Sequence, residues 1–261
     1  MPMELTGWLD GPAGAPVVVL GNSLGTSCAV WNSQVAVLSR RFRLLRYELP
    51  GHGGSPALDG PYTIAELGAA VLALLDRHRI ARAAYCGISL GGMVGMWLAA
   101  EFPSRIAALG LVCTSAYLPP ASAWLARADQ VHDHGLASIS AASVGRWFTP
   151  AFARREPAII AAFTADLERT DAVGYAGCCA AIAAMDLRSR LGSITARTLV
   201  ISGANDPATP PDHGARIASG VRGARLLVIR GAAHLANVSA PTHVSAALVS
   251  EVLADPAGFA P

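Results

Sequence analysis

The stretch RAAYCGISLGGMVGMWLAAEF, residues 82–102, decides the fold. Its first part, RAAYCG (82–87), has the length and apolar content of a buried strand, and the part that follows has helical periodicity. Ser89 lies at the junction, between Gly87 and Gly91. The pattern G-x-S-x-G between a strand and a helix is typical of a sharp turn that holds a serine hydroxyl above the end of a parallel sheet.

Ser89 also has a plainer interpretation, as the N-cap of a helix that contains several glycines. The motif is short, and in a chain with 26 glycines chance produces on the order of 0.2 matches. Each of Gly91, Gly92 and Gly95 costs a helix about 1 kcal/mol relative to alanine. Their presence therefore indicates that this helix packs closely near its start, and the rest of the chain has to decide between the two interpretations.

Strands and helices alternate on both sides of this stretch. The predicted strands are APVVVLG (15–21), FRLLRYE (42–48), RAAYCG (82–87), IAALGLVCT (106–114), RTLVISG (197–203) and ARLLVIRG (224–231), with ELTGWLDG (4–11) as a candidate antiparallel edge hairpin. The predicted helices are 63–78, which starts with a Thr63–Glu66 capping box, 89–102, 212–219 and 241–254. This alternation predicts an α/β fold with a mostly parallel central sheet flanked by helices.

The segment 117–188 interrupts the alternation, because it shows only helical periodicity. Examples are 122–134, 138–148 and 157–170. About seventy residues are too many for an ordinary connection. The sequence therefore predicts a core of residues 1–116 and 189–261, with a helical cap of residues 117–188 inserted into it.

Composition excludes several classes of function. The chain has 261 residues, 52% of them hydrophobic and 15% charged, and a net charge of +2. It contains no basic run, which argues against nucleic acid and anionic membranes as partners. Its first residues lack a basic stretch followed by an apolar one, so we expect no secretory signal, and no apolar run reaches membrane-spanning length. Its five cysteines include no C-x-x-C pair, so we expect free thiols in the cytoplasm and neither disulfides nor a metal site.

Three side chains of complementary chemistry follow three of the predicted strands. Ser89 follows 82–87, Asp206 follows 197–203 in ISGANDPATPP, and His234 follows 224–231 in IRGAAHLAN. A serine hydroxyl needs a base within hydrogen-bond reach and a third group to orient that base. Because the carboxyl ends of parallel strands share one edge of the sheet, we predict a catalytic triad of Ser89, Asp206 and His234.

Each partner of Ser89 has an alternative. Asp206 could be a turn residue before Pro207, and Asp212, which we expect at the N-cap of the next helix, is the rival acid. His52 in ELPGHGGS lies outside the strand-end loop of His234, so we interpret it as a loop residue near the pocket.

Acyl transfer also needs two N–H donors for the oxyanion. One predicted donor is the backbone of Leu90, directly after the serine and at a helix N-terminus. The other is expected in the loop GNSLGT (21–26), by position the N–H of Ser23, with that of Leu24 as the neighbouring possibility.

Several longer motifs carry a resemblance to a known family. They are GNSLGTSCAVWNSQ, GHGGSP, CGISLGGMVGMWLA, RWFTPAF, GYAGCCAAIAAMDLR, LVISGANDPATPP and GAAHLANV. Together they resemble the 3-oxoadipate enol-lactonases of the β-ketoadipate pathway. The resemblance implies an α/β-hydrolase fold with a helical cap, a Ser–Asp–His triad, no metal or organic cofactor, and a small lactone as substrate. Candidates to bind the carboxylate of that lactone are Arg127, Arg146 and Trp147.

The chain departs from that family's usual pattern at Glu48 and Pro50, in RYELPGHGG, which leaves fine substrate preference open. A triad alone also fits a carboxylesterase, a perhydrolase or a hydrolase of carbon–carbon bonds. A haloalkane dehalogenase needs an aspartate nucleophile, so Ser89 argues against it. A non-catalytic ligand receptor on the same fold is the remaining alternative, and the sequence does not give the oligomeric state.

Overall fold

A computed structural model of the protein describes residues 3–255, and seven strands in that range form one sheet. They are β1 (Gly7–Asp10), β2 (Val17–Gly21), β3 (Arg43–Tyr47), β4 (Ala83–Ile88), β5 (Ile106–Val112), β6 (Arg197–Gly203) and β7 (Arg225–Ile229). The spatial order is β1-β3-β2-β4-β5-β6-β7, and only β1 is antiparallel to its neighbour. This arrangement confirms the predicted α/β fold. The predicted edge hairpin is wrong in its pairing, because β1 pairs with β3 rather than with the next strand in the chain.

Helices cover the sheet, and β2 and β4 are buried along their whole length, as expected for parallel strands between two helical layers. The helices are α1 (Asn32–Leu38), α2 (Ile64–Arg77), α3 (Leu90–Glu101), α4 (Ala121–His134), α5 (Ala137–Trp147), α6 (Pro150–Arg155), α7 (Pro157–Glu168), α8 (Ala172–Ala184), α9 (Pro211–Gly220), α10 (Ala236–Ser239) and α11 (Pro241–Ala247). Short 3-10 helices occupy Cys28–Trp31 and Arg188–Ser193, and a π-helical turn, Leu248–Val252, continues α11.

The ends of the helices test three local predictions. The capping box of α2 forms as predicted, with Glu66 N–H donating to Thr63 Oγ1 at 3.1 Å and Thr63 N–H donating to the Glu66 carboxylate at 2.8 Å. Asp212 does not cap α9, because Pro211 starts that helix and Pro210 holds the N-cap position. The single helix predicted over 241–254 is instead α11 followed by the π-helical turn.

The strand order places a crevice beside β2 and β4. The chain passes from β2 to β3 on one side and then returns to β4 on the other, so loops at the carboxyl ends of β2 and β4 diverge there. The start of α3 packs closely against the end of β2 and the β2 loop (residues 22–28). A Cβ atom at Gly91 would lie only 2.4 Å from the carbonyl carbon of Gly21. Only glycine allows this approach, in which Gly91 N–H donates to the Asn22 carbonyl at 2.8 Å.

Five helices, α4 to α8, and no strand lie between β5 and β6. We call residues 117–188 the helical insertion. Tyr117 and Asp186 form an isolated antiparallel bridge, so the two ends of the insertion meet. The division of the chain into a core and a cap domain stays a prediction. Within residues 3–255, no helix combines the length and apolar character needed to cross a membrane.

Candidate active site

Ser89 lies at the junction of β4 and α3 in an unusual backbone conformation. Its φ is 54° and its ψ is −118°, a region that costs a non-glycine residue about 1–3 kcal/mol. Ser89 holds the N-cap position of α3, but its side chain makes no capping hydrogen bond. The carbonyl of Ser89 accepts a hydrogen bond of 2.7 Å from Thr114 Oγ1, which helps to hold the turn. The plain N-cap interpretation of this serine is therefore wrong.

The hydroxyl of Ser89 instead meets a histidine. His234 Nε2 lies 2.9 Å from Ser89 Oγ, and His234 Nδ1 lies 2.8 Å from Asp206 Oδ2. All three residues are less than one-tenth exposed. An ionised carboxylate only accepts hydrogen bonds, so Asp206 places the imidazole proton on Nδ1. The lone pair of Nε2 then faces the hydroxyl, which is the arrangement a general base needs.

The Asp206 carboxylate is held by donors from its own loop. Its Oδ1 accepts from the N–H groups of Ala208 at 2.8 Å and Thr209 at 3.0 Å, and its Oδ2 accepts from Thr209 Oγ1 at 2.7 Å. Burial raises the pKa of Asp206, but the charge of His234 and the hydrogen bonds from these donors outweigh burial. The pKa of Asp206 therefore lies below its usual value. Asp206 is therefore ionised at neutral pH. The rival acid, Asp212, is exposed in the first turn of α9.

Thr209 contacts both Asp206 and His234 but was not predicted from the sequence as part of the site. Its hydroxyl also lies 3.3 Å from His234 Nδ1, and the residue is almost completely buried. The available signal was its spacing, since a hydroxyl three residues beyond an aspartate can reach the carboxylate when the chain forms a tight turn.

The β2 loop folds into a turn beside this site. The Ser23 carbonyl accepts from Thr26 N–H at 3.1 Å and from Thr26 Oγ1 at 3.0 Å, and Gly25 between them has a φ of 77°. A type II turn requires a positive φ at its third residue, which explains the glycine.

The same loop offers backbone donors to the site. The Asn22 carbonyl is fixed on Gly91 N–H, and because the peptide is trans, this fixes the opposite direction for Ser23 N–H. Ser23 and Leu24 both line the cavity at Ser89, and their N–H groups have no hydrogen-bond partner within residues 3–255. Leu90 is the first residue of α3, where N–H groups have no acceptor within the helix. The assignment of Leu90 and Ser23 as the oxyanion donors stays a prediction, with Leu24 as the alternative.

His52 is buried behind the β2 loop and does not line the cavity. Its Nε2 accepts from Gly25 N–H at 2.9 Å, so its proton lies on Nδ1, 2.8 Å from the Pro50 carbonyl. Burial lowers the pKa of His52 to about 4. His52 is thus a neutral hydrogen-bond acceptor that holds the loop.

Glu48 is a second buried residue behind the β2 loop. Both of its carboxylate oxygens lie 3.0 Å from Cys28 N, and Oε2 accepts from Asn22 Nδ2 at 3.2 Å. Burial raises the pKa of Glu48. Glu48, one of the two departures from the usual family pattern, therefore supports the β2 loop and does not line the cavity.

A cavity of about 590 Å³ opens above Ser89. Its core side includes Ser23, Ser89 and His234, and its insertion side includes Arg127, Arg146 and Trp147. All the residues predicted for catalysis or substrate binding line this cavity except two. Asp206 lies behind His234 and bonds to it, and Leu90 directly follows Ser89. Trp147 also accepts a hydrogen bond of 3.0 Å at its carbonyl from Leu235 N–H, next to His234.

The two arginines differ in how they are held. Arg127 donates to Tyr175 Oη at 2.7 Å and to Ser143 Oγ at 2.5 Å. Arg146 has no hydrogen bond or ion pair with any residue in 3–255, and the residue is exposed at one side. Partial burial of its guanidinium, followed by the charge of Arg127, lowers its pKa. No acidic side chain is among the described residues that line the cavity. Two guanidinium groups without a carboxylate leave this side of the cavity suited to an anion.

Residues 16–154 match the family model described as alpha/beta hydrolase fold. The chain belongs to the α/β-hydrolase family. A second model, described as TAP-like protein, matches residues 171–256 of this hydrolase.

The chain is similar along most of its length to several known proteins. It is 40% identical over 231 residues to 3-oxoadipate enol-lactonase 2 of Acinetobacter baylyi, covering 88% of this chain and 86% of that one. It superposes on the enol-lactonase from Burkholderia xenovorans LB400 with a TM-score of 0.93 and 40% identity, covering 96% of each chain. It is also 32% identical to the putative carbamate hydrolase RutD of Variovorax paradoxus, over 88% of this chain and 89% of that one. The resemblance to enol-lactonases drawn from the motifs is confirmed.

Proposed function

We propose that this α/β-hydrolase is a serine hydrolase that opens 3-oxoadipate enol-lactone to 3-oxoadipate in the β-ketoadipate pathway of aromatic degradation. The observation that carries the proposal is the cavity in which a Ser89–His234 pair faces Arg127 and Arg146 with no acid between them. The enol-lactonase relatives support it. We further propose that the helical insertion acts as a cap, that the protein is cytoplasmic, and that the reaction uses no metal or organic cofactor.

The proposed reaction starts at Ser89 Oγ. His234 Nε2 takes the hydroxyl proton while the oxygen attacks the lactone carbonyl, and the N–H groups of Leu90 and Ser23 stabilise the oxyanion. When the tetrahedral intermediate collapses, the ring carbon–oxygen bond breaks and His234 protonates the departing enolate oxygen. Water activated by His234 then hydrolyses the acyl-enzyme, and the released enol ketonises. Asp206 keeps the imidazole oriented and stabilises its charged form.

The carboxymethyl arm of the substrate determines its orientation. In this proposal its carboxylate binds Arg146 and the side of Arg127 that Tyr175 and Ser143 leave free, while the ring lies toward Trp147. A charge-assisted contact of this kind favours an anionic lactone over a neutral ester of the same size.

A second candidate is carbamate hydrolysis, favoured by the similarity to putative carbamate hydrolase RutD. In a simple carbamate the carbonyl group that reacts is the only one, so no separate carboxylate remains for Arg127 and Arg146 to bind, and the arginine pair favours the lactone. Carboxylesterase, perhydrolase and carbon–carbon hydrolase activities use the same core side of the cavity and are further outcomes of a substrate panel.

The deciding experiment measures loss of enol-lactone ultraviolet absorbance with the wild type, with Ser89→Ala and with Ser33→Ala, an exposed serine of α1, as the matched control. We expect fast turnover by the wild type and the control, and a kcat lower by at least about 10⁴-fold in Ser89→Ala. A wild type that ignores the lactone but cleaves a neutral ester or a carbamate through Ser89 would retain the serine mechanism and overturn the lactonase assignment. Failure to turn over any member of the panel would favour a ligand receptor.

A further inference from the structure

The N–H groups of the β2 loop are held from two different parts of the molecule. Gly25 N–H and Cys28 N–H donate to His52 and Glu48, which belong to the core side of the chain. Ser27 N–H donates at 2.7 Å to Asp166 Oδ2, on helix α7 of the helical insertion. Within residues 3–255, Asp166 is the one side chain of the insertion that hydrogen-bonds to this loop.

Asp166 lies where a carboxylate is electrostatically unfavourable. It is two residues from the end of α7, where the helix dipole disfavours a negative charge. Asp166, which is partly buried, also lies close to the buried Glu48, since burial and then the charge of Asp166 raise the pKa of Glu48. Among the described residues, its other oxygen contacts only Arg169, at 3.4 Å. The Arg169 side chain is 70% exposed, so solvent screens that pair. The bond to Ser27 N–H is the clearest compensation for these costs.

The position of this bond along the chain is informative. Ser27 directly follows the type II turn from Ser23 to Thr26, in which the Ser23 carbonyl accepts from Thr26 N–H. Ser23 is therefore held on one side by the bond from Gly91 N–H to the Asn22 carbonyl and on the other side by this turn. The insertion also packs against the turn, with Leu167 Cδ1 only 2.5 Å from where a side chain at Gly25 would begin. The turn is therefore held on one side by the core and on the other by α7.

We propose that Asp166 is a positioning residue for the oxyanion hole. By holding Ser27 N–H, it keeps the β2 turn in the shape that presents Ser23 N–H to the oxyanion, so the helical insertion contributes to the chemical step itself. Substrates too small to reach Arg127 and Arg146 then depend on the insertion as well. This inference rests on the serine-hydrolase reaction proposed above, but not on the identity of the lactone.

The test compares three variants of the full-length protein with the wild type. Asp166→Ala removes the acceptor, Asp166→Asn retains an amide oxygen that can accept from Ser27 N–H, and Asp133→Ala removes an exposed acid of α4 as the matched control. Each variant is assayed on the enol-lactone and on p-nitrophenyl acetate, a small neutral ester, with kcat and KM determined separately. Thermal unfolding is recorded for each, and active sites are titrated with a fluorophosphonate so that kcat refers to folded enzyme.

We expect Asp166→Ala to lower kcat about 10- to 100-fold on both substrates, with KM changed less than about 2-fold. This decrease in kcat is no larger than the decrease caused by removing one oxyanion donor, about 100- to 1,000-fold. Asp166→Asn should restore most of kcat, and Asp133→Ala should match the wild type. A purely structural role would lower the unfolding temperature and the titratable fraction of Asp166→Ala but leave kcat per titrated site unchanged, which would overturn the inference.

Two other outcomes also decide the matter. A loss in Asp166→Ala confined to the lactone and expressed in KM would show that Asp166 acts on substrate binding, and would overturn the positioning role while leaving the proposed function intact. A wild type inactive on both substrates would overturn the serine-hydrolase proposal and this inference together.

Discussion

The two sides of the active-site cavity are built differently. On the core side, Ser89, Asp206 and His234 are buried, and each polar side chain meets a defined partner at the end of a parallel strand. On the insertion side, Arg146 is exposed at the cavity mouth and has no partner within the described residues. The proposed catalytic side chains are thus held at the ends of strands, whereas the proposed substrate-binding arginines lie on helices of the insertion. The proposed role of Asp166 is the point at which the insertion also acts on the chemistry.

The strongest test of the core side is Asp206→Asn. An amide cannot stabilise the charged imidazole, and it can donate to Nδ1 and so place the proton on Nε2, where it blocks the base. We expect kcat to fall about 10⁴-fold on both the lactone and a neutral ester, since a comparable change in a Ser–His–Asp protease has that effect. Steady-state kinetics of both substrates measure it, with Asp212→Asn as the matched control at the exposed rival acid. Equal losses in the two variants would contradict the assignment of Asp206.

The buried histidine behind the β2 loop predicts a pH dependence of stability. His52 has a pKa of about 4 in the folded protein, against about 6.5 in an unfolded chain. Between these values the unfolded state binds the proton and the folded state does not, so the free energy of unfolding falls as the pH decreases from 6.5 towards 4. The contribution of His52 amounts to about 3 kcal/mol at the low end.

Urea unfolding of wild type and His52→Gln from pH 4.5 to 7.5 measures this effect, with His132→Gln, an exposed histidine of α4, as the control. The free energy of unfolding of His52→Gln should depend less on pH over this window than that of the wild type. If both histidine variants retain the wild-type slope, His52 is not the buried group that resists protonation.

The insertion side is tested by Arg146→Ala. We expect KM for the anionic lactone to rise about 10-fold, the order expected for loss of one charge-assisted contact, with kcat and the neutral ester nearly unchanged. Arg154→Ala, an exposed arginine of α6, is the matched control. Equal losses on the lactone and the ester would remove the carboxylate-binding role and weaken the contrast between the two sides.

Local patterns in the sequence predict the core side better than its supports. The alternation of strands and helices places Ser89, Asp206 and His234 at one edge of the sheet, because parallel strands share their carboxyl ends. The bond from Ser27 to Asp166 joins residues 139 positions apart, and no periodicity or motif marks it. Asp212 as a helix cap was wrong for a local reason, since the two prolines before it already start α9.

Two backbone N–H groups carry a further consequence. Leu235 N–H donates to the Trp147 carbonyl and Ser27 N–H donates to Asp166, so the acceptors of both belong to the helical insertion. The acceptors of Gly25 N–H and Cys28 N–H belong to the core. If the insertion moves away from the sheet, deuterium uptake should rise at the first pair and not at the second, whereas unfolding of the loop should raise uptake at the second pair. These four N–H groups therefore distinguish a movement of the helical insertion from an unfolding of the β2 loop, at positions next to the cavity.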